Sequence, residues 1–571
     1  MRPALNADAT QKSSLSPFFK RYLASGDLFV WGSGAGLAIS LLMVVGLLLL
    51  IMLNGLGYFW PADIVELTLK DGTHVLGQWA GRETIPPSSA VDSKPRTRIR
   101  LKIGNRDLYG LDFKWVNEDA IASRSFPPET VLLERREWGN MYGRINAVYR
   151  GDEQIAHGNE PSWQALLPLI TDANELRARI LRIERVDIGA INTEIERMRL
   201  KMRRLELKRA PPPIPPPRGG RVREGVDDNI ERLKGQMEAA EARYQEQMKR
   251  LESLSAHLND YSVLITDANG QEKRLPVSQI IRAFRPNEMG VVSKSLMYVA
   301  NVWRVLSEEP REANTEGGIF PAIFGTVMMV LIMTIAVVPF GVLAALYLRE
   351  YARQGVLVRL VRIAVNNLAG VPSIVFGVFG LGFFVYAIGG TIDSVFFAET
   401  LPTPTYGTGG ILWASLTLAL LTVPVVIVAT EEGLAAVPRD LREGSLALGA
   451  TKLETLARVV LPSALPGILT GLILAMARAA GEVAPLMLTG VVKLAPTLPF
   501  DWQWPFFHLD RKFMHLGFHI YDVGFQSPNV EAAKPMVYIT TLVLIMVVVL
   551  LNLMAITLRN RLRKKYAGSA V

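Results

Sequence analysis

Six stretches of this 571-residue chain are apolar enough, and long enough, to cross a bilayer as helices. They run roughly Phe29–Gly55, Ile319–Leu348, Val371–Ile388, Ile411–Ala429, Pro466–Leu488 and Met536–Leu558. A hydrocarbon core of ~30 Å takes about 20 helical residues, and within it a segment must satisfy its own backbone hydrogen bonds. The chain is 50% hydrophobic, but it is the pooling of those residues that predicts an all-α polytopic membrane protein. The first run follows Lys20 and Arg21, yet it is too long for a signal peptide and lacks a convincing small-residue cleavage site, so it reads as a retained anchor. Trp31 at one end, and Phe59 and Trp60 at the other, fit the aromatic belts of the two interfaces.

Orientation follows from the short loops. Arg349, Arg353, Arg359 and Arg362 lie between the second and third runs. Arg439, Arg442, Lys452 and Arg458 lie between the fourth and fifth, and Arg559, Arg561, Arg563, Lys564 and Lys565 follow the sixth. The loop Gly389–Gly410 has no Lys or Arg. By the positive-inside rule both chain ends, including residues 1–28, and a loop over 431–465 are cytoplasmic, whereas 61–318 lies outside. The net charge of +9 therefore sits largely at membrane edges, which points to the lipid membrane as partner and not to nucleic acid. Cysteine is absent, so the outer region holds no disulfides.

Within 61–318 the pattern changes twice. Residues 62–170 and 259–290 alternate apolar and polar residues between turn pairs such as Asp71-Gly72 and Asn269-Gly270, which predicts a β-rich domain. Between them, Leu181, Ile188, Ile191, Ile195, Met198, Met202 and Leu205 keep a 3-4 spacing broken once at Glu184. Ile230, Leu233, Met237, Ala240, Tyr244, Leu251, Leu254 and Leu258 keep it again, with Gln247 as the break. "PPPIPPPRGG" (Pro211–Gly220) separates the two, and no helix traverses it. The expectation is an antiparallel coiled-coil hairpin over 172–258, with arms of ~50–60 Å, inserted in the β-rich domain.

The segment "EGSLALGATKLETLARVVLP" (Glu443–Pro462) carries its own stops and starts. Gly449 can take the left-handed conformation that closes a helix. Thr451-Lys-Leu-Glu454 is a capping box, and Pro462 disfavours helix at its predecessor, so the second helix is expected to end near Leu461. The prediction is a preformed cytoplasmic knuckle.

Glu443, Gly449, Val459, Leu461 and Pro462 fall at the spacing of the E-A-A-x3-G-x9-I-x-L-P loop, with Gly444 and Ser445 in place of the alanines and Val459 in place of the isoleucine. The chain thus resembles the permease subunits of bacterial ATP-binding-cassette importers. "NNLAGVPSIVFG" (Asn366–Gly377), "VPRDLREGSLALGATK" (Val437–Lys452) and "RAAGEVAPLMLTG" (Arg478–Gly490) resemble the permease pair of phosphate importers, and "GEVAPL" is closer to the PstA-type subunits. The resemblance covers the span at 29–60 and the region 319–571, and implies a type I importer permease core there. It makes Glu443, Gly449, Ala450, Thr451, Glu454, Leu461 and Pro462 the loop that couples to the ATPase. It also implies an ATPase subunit dimer, a second permease subunit in a heterodimer, a phosphate-binding protein on the exterior, and the bacterial inner membrane. The family core has only a short loop where this chain has 61–318. A permease for sulfate, molybdate or an organic anion, or a membrane-anchored scaffold or sensor acting through the coiled coil, are the competing readings.

Arg478 and Glu482 are the only charges in the fifth run and, four apart in a helix, would share a face. A central charge costs roughly 2.5–3.5 kcal/mol on insertion scales, so such residues face protein or a wet path. A guanidinium matches phosphate oxygens well; a structural ion pair is the other reading. Asn366, Asn367 and Ser373 are candidates for a polar lining at the mouth of the third span, with caps at its start as the alternative for the two asparagines. No GxxxxGK[ST] run, HExxH motif or cysteine occurs, so the chain is expected to be no enzyme and to hold no cofactor or metal. His508, His515 and His519 in "FHLDRKFMHLGFH" are too loosely spaced for a metal site and read as a surface loop.

Overall fold

The computed structural model describes residues 27–85, 96–209, 220–502, 504–527 and 529–567. Lys20, Arg21 and most of the proline-rich join lie outside them. Among the described residues six helices are long and apolar enough to span a membrane: Phe29–Gly57, Phe320–Tyr351, Ser373–Phe396, Ile411–Ala435, Lys452–Gly481 and Val530–Lys564. The chain is a multi-pass helical membrane protein.

At the centre of the bundle stands α10 (Ile411–Ala435), packed between α6 (Phe320–Leu346) and α13 (Leu461–Gly481). Lipid tails are as apolar as leucine, so helices associate through close packing, and small residues mark the contacts. A Cβ on Gly341 would stand 2.6 Å from a Val426 methyl, one on Gly467 would stand 2.7 Å from Gly433 Cα, and one on Gly471 would stand 2.2 Å from Ala429 Cβ. The N-terminal α1 (Asp27–Gly57) is exposed along most of its length and reaches the bundle at its end, where Gly55 packs on Tyr538 of α16 (Val530–Ala567).

Two antiparallel sheets follow α1. The first has the order β4-β3-β2-β1-β5, from β1 (Ile64–Leu69), β2 (His74–Ile85), β3 (Arg96–Lys102), β4 (Phe113–Asn117) and β5 (Ile121–Ser125). Its β1–β2 turn uses Gly72 at φ +84°, and Asp71 accepts from the Thr73 N–H at 2.9 Å. In the second, β7 (Met141–Arg150) pairs with β6 (Val131–Arg135), β8 (Glu153–His157) and β9 (Tyr261–Thr266), with β10 (Glu272–Pro276) beyond β9 and β11 (Ile280–Phe284) beyond β6. Val131, Leu133, Met141, Ile145, Val263 and Ile265 form its buried face, against Leu166 and Ile170 of the helix that follows β8.

That helix, α2 (Asn159–Arg182), begins inside the stretch expected to be β-rich. Gly158 at φ +89° ends the strand, and Pro161 falls in the first turn, where a missing N–H costs nothing. It continues through a π-helical turn (Ile183–Ile188) into α3 (Gly189–Arg209). α4 (Gly220–Leu258) packs beside α3 through Ile191, Ile195, Met198, Leu233, Met237, Ala240 and Tyr244, with Glu194 and Arg243 paired at 2.9 Å. The pair leans on the membrane helices' loops: Arg204 is ion-paired with Glu399, and Arg197 donates to the Trp504 carbonyl at 2.9 Å. α5 (Val291–Ser307) connects the second sheet to α6.

Candidate functional site

The knuckle is built by local rules. α11 (Arg439–Ala447) ends where Gly449, at φ +86°, donates to the Leu446 carbonyl at 3.0 Å and Ala450 donates to that of Ser445 at 3.3 Å. Thr451 then caps α12 (Lys452–Thr455): its hydroxyl accepts from the Glu454 N–H at 3.3 Å while the Glu454 carboxylate accepts from the Thr451 N–H at 2.9 Å. Glu443 is exposed on α11. The tip presents apolar side chains to solvent: Leu448 is 90% exposed and Leu453 69%, with Leu446 beside them at 49%. Its flanks are held by Glu350 and its neighbours. The Glu350 carboxylate pairs with Arg442 at 2.5 Å, the Glu350 carbonyl accepts from Lys452 at 2.5 Å, and Lys452 lies 4.8 Å from the Tyr351 ring.

The helix does not end near Leu461. Val460 and Leu461 are helical, and the chain passes Pro462 into α13 through a π-helical turn (Leu456–Val460). The wider turn keeps the proline ring off the preceding carbonyl, and the Ser463 hydroxyl donates to the Val459 carbonyl at 2.7 Å. Leu461 and Pro462 thus lie inside the helix that carries the knuckle into the fifth span and do not close the knuckle.

Arg478 and Glu482 meet at 3.5 Å, but not on one helical face. α13 stops at Gly481, Glu482 is extended (φ −77°, ψ 138°), and α14 (Ala484–Thr489) starts afresh. Pro485 is the cause: it has no N–H for the Gly481 carbonyl, and its ring would clash there. Arg478 therefore sits in the last turn of α13 and not at the middle of a continuous helix. Its side chain is 35% exposed, on a stripe with the exposed Ser463, Thr470, Leu474 and Gly481, of which Thr470 accepts from Arg559 of α16 at 3.3 Å.

Asn366 and Asn367 lie exposed in the last turn of a separate amphipathic helix, α7 (Val356–Leu368), while Ser373 opens α8 (Ser373–Phe379) after Pro372. α8 has no side-chain cap, and no hydrogen bond or ion pair among the described residues joins these three to Arg478 or Glu482. α8 does pack on α14: a Cβ on Gly377 would stand 2.7 Å from Pro485 Cα.

Residues 337–567 match the family described as binding-protein-dependent transport system inner membrane component. The chain is 33% identical over 224 residues to a probable ABC transporter permease protein, YqgI, of Bacillus subtilis, covering 38% of this chain and 70% of that protein. The chain belongs to this permease family. It is also 38% identical over 171 residues to phosphate transport system permease protein PstA 1 of Mycobacterium tuberculosis, covering 30% of this chain and 50% of that one. With phosphate transport system permease protein PstA of Yersinia pestis it shares 38% over 176 residues, 31% of this chain and 53% of that one. The chain spans about half the length of these two relatives.

Two features of the permease core escaped the sequence reading. The histidine segment is a surface loop only in its first part, where Phe507 is exposed and the half-buried His508 pairs with Asp501 at 3.0 Å; Phe513, His515 and Leu516 are fully buried and His519 nearly so, at the main bundle core. Burial pushes His515 down to about 3, and burial chiefly, aided by Lys493 and opposed by Asp522, pushes His519 down to about 4. His515 accepts from the Gly517 N–H at 3.1 Å, and His519 meets Thr540 at 3.2 Å, so both act as neutral packing groups. The second feature is Asp393, buried at the end of the third span, where it accepts from the Tyr406 and Gly407 N–H groups at 2.9 and 2.6 Å. Nothing in its local sequence separates it from a solvated acid; only the returning loop supplies its partners.

Proposed function

We propose that the chain is one of two membrane permease subunits of an ATP-driven importer for inorganic phosphate, in the bacterial inner membrane. The observation that carries this reading is the knuckle: a capped, Glu350-clasped projection with leucines at its tip, in a chain that has no phosphate-binding loop for ATP. An ATPase dimer docks on it, with Glu443, Gly449, Ala450, Thr451 and Glu454 setting its shape and Leu461 and Pro462 linking it to the fifth span. The M. tuberculosis and Y. pestis relatives, phosphate transport system permease proteins, support phosphate over another oxyanion.

A second permease subunit completes the pathway along the exposed stripe of α13, where Arg478 supplies the positive charge that an anion needs in a low-dielectric passage. Glu482 holds that guanidinium in position, and Asn366, Asn367 and Ser373 lie toward the same end of the pathway. The loop charges support an exterior location for the sheets and for α3 and α4 as an antiparallel coiled-coil arm, and a phosphate-binding protein delivers the solute on that side. The Arg204–Glu399 ion pair supports a docking or regulatory role for the arm over that of a free spacer.

The test is phosphate uptake by Arg478→Ala in cells lacking the native subunit, with co-purification of the ATPase and second permease as the control for assembly. Charge-assisted hydrogen bonds contribute about 1.5–3 kcal/mol each, so uptake should fall at least about tenfold while the complex stays intact. Arg478→Lys should restore little, because a point charge lacks the planar fork. Unchanged uptake by Arg478→Ala removes Arg478 from the pathway, and absence of both partners from the purified wild type favours the scaffold reading.

A further inference from the structure

A cavity of about 570 Å³ lies between the two sheets, α5, the end of α1 and the start of α16. No residue of α13 lines it, and it lies outside the residues that match the permease family, except at α16. Six cations line it: Arg100, Lys102, Arg282, Arg304, Arg311 and Lys534. Four carboxylates face them, Glu134, Glu308, Glu316 and Glu531, which leaves a surplus of two positive charges.

The carboxylates are shared. Glu134 serves both Arg282 at 2.7 Å and Arg311 at 2.6 Å, and Glu531 serves both Arg100 and Lys534. Glu308 adds longer contacts to Arg282 and Arg311, at 3.4 and 3.9 Å, and Lys102 stands 3.8 Å from Glu316. Arg304 has no carboxylate within 4 Å among the described residues; its guanidinium donates to Asn301, one turn back on α5, at 2.8 Å. The Nε–H groups of Arg100 and Arg311 are buried without an acceptor, and Glu531 Oε2 is buried without a hydrogen-bond donor although it is ion-paired with Arg100. Burial, together with Glu134, raises the Glu316 carboxyl against the pull of Lys102.

The position narrows the ligand. The spans of α1 and α16 end at Gly57 and begin at Val530, and both contribute to the wall. Tyr58, Phe59 and Trp60 form the wall at the end of α1. α5, which supplies Asn301 and Arg304, exposes Val292, Leu296, Val299 and Trp303 in a helical stripe, as a helix lying in a membrane interface does. The cavity thus stands at the depth of lipid headgroups.

We propose that this cavity binds a phosphate-bearing anion at the membrane surface, with Arg304 as its first contact. The group comes from an anionic phospholipid headgroup or from free inorganic phosphate; both present oxygens of the kind a guanidinium pairs with. The proposal does not rest on the transport reading, and its readout is binding, not uptake.

The test uses the full chain purified in detergent. One arm measures retention of phosphatidylglycerol against phosphatidylcholine by native mass spectrometry, and the other measures saturable binding of radiolabelled inorganic phosphate. Preferential retention of phosphatidylglycerol assigns a headgroup, and saturable phosphate binding without it assigns the free anion. In whichever arm is positive, Arg304→Gln should weaken binding about fivefold, the effect of one cation at a membrane surface, and Arg304→Lys should recover most of it. Arg304 makes no ion pair among the described residues, so its loss should leave the melting temperature unchanged. Lys534, half-exposed at the start of α16, is tested beside it as Lys534→Gln, which carries the test should R304Q fail to fold. Absence of binding in both arms, or binding that neither glutamine variant changes, overturns the proposal.

Discussion

Gly449 offers a clean test of whether the knuckle's shape matters. Its φ of +86° is a conformation that L side chains rarely adopt, and nothing lies within 4 Å of the place a Cβ would occupy. A substituent there meets no neighbour, so the whole penalty comes from the backbone. That penalty is roughly 1–2 kcal/mol for an L-residue and larger for a β-branched one, whereas asparagine tolerates the region. At about 1.4 kcal/mol per factor of ten, Gly449→Val should lower the ratio of closed to open knuckle about 5–30-fold. Two hydrogen bonds open with it, from Gly449 to Leu446 and from Ala450 to Ser445, and Thr451 loses its fixed entry into α12. With the ATPase reconstituted alongside the permease pair in proteoliposomes, uptake per ATP hydrolysed should fall by up to a similar factor, while membrane insertion and basal hydrolysis persist. Gly449→Ala should fall at the mild end and Gly449→Asn should stay close to wild type. Normal coupling in the valine variant, or equal damage from asparagine and valine, would refute the reasoning.

Asp393→Ala leaves the half-buried Tyr406 and Gly407 N–H groups without their acceptor, which should lower stability by about 1–3 kcal/mol in detergent melting, with Asp393→Asn milder because one oxygen remains. An unchanged melting temperature for Asp393→Ala would contradict the geometry. Glu134 titrates against burial, which alone would raise it; its hydrogen bonds to Arg282 and the charges of Arg282 and Arg311 hold it at about 2, below the ordinary 4.5. A depressed carboxyl stabilises the fold above its unfolded value and loses that contribution as the pH falls through its folded value. Acid titration of the full chain should therefore show a loss of about 2–3 kcal/mol between the two values, which Glu134→Gln abolishes. Glu316, raised by burial, works with the opposite sign but above the ordinary 4.5, outside that window; an acid profile insensitive to Glu134→Gln would exclude the assignment. A protease site inserted in "PPPIPPPRGG" should be cut from the outer face of the cytoplasmic membrane, and cleavage only after the cytoplasm is opened would invert the orientation.

What was legible in the sequence was what a few neighbouring residues decide. Hydropathy over about 20 residues is enough to mark a span, because lipid contact depends on each side chain's own transfer energy. The Gly449 turn and the Thr451–Glu454 box were equally legible, since their partners lie within four residues. Local rules failed where a distant or longer-range constraint competed. Pro462 was read as a stop, yet a π-helical turn and the Ser463 hydroxyl carry the helix past it. Pro485, whose effect falls four residues earlier, ends α13 and takes Glu482 off the face of Arg478. His515, His519 and Asp393 look like surface residues until the bundle closes over them. The charged cavity draws Arg100, Arg304 and Lys534 from three separate stretches of the chain, and no window of sequence contains it. The physical reason is one of range: hydrogen-bond caps and transfer energies belong to single residues and their neighbours, whereas burial, shared ion pairs and surplus charge exist only once remote segments have packed together.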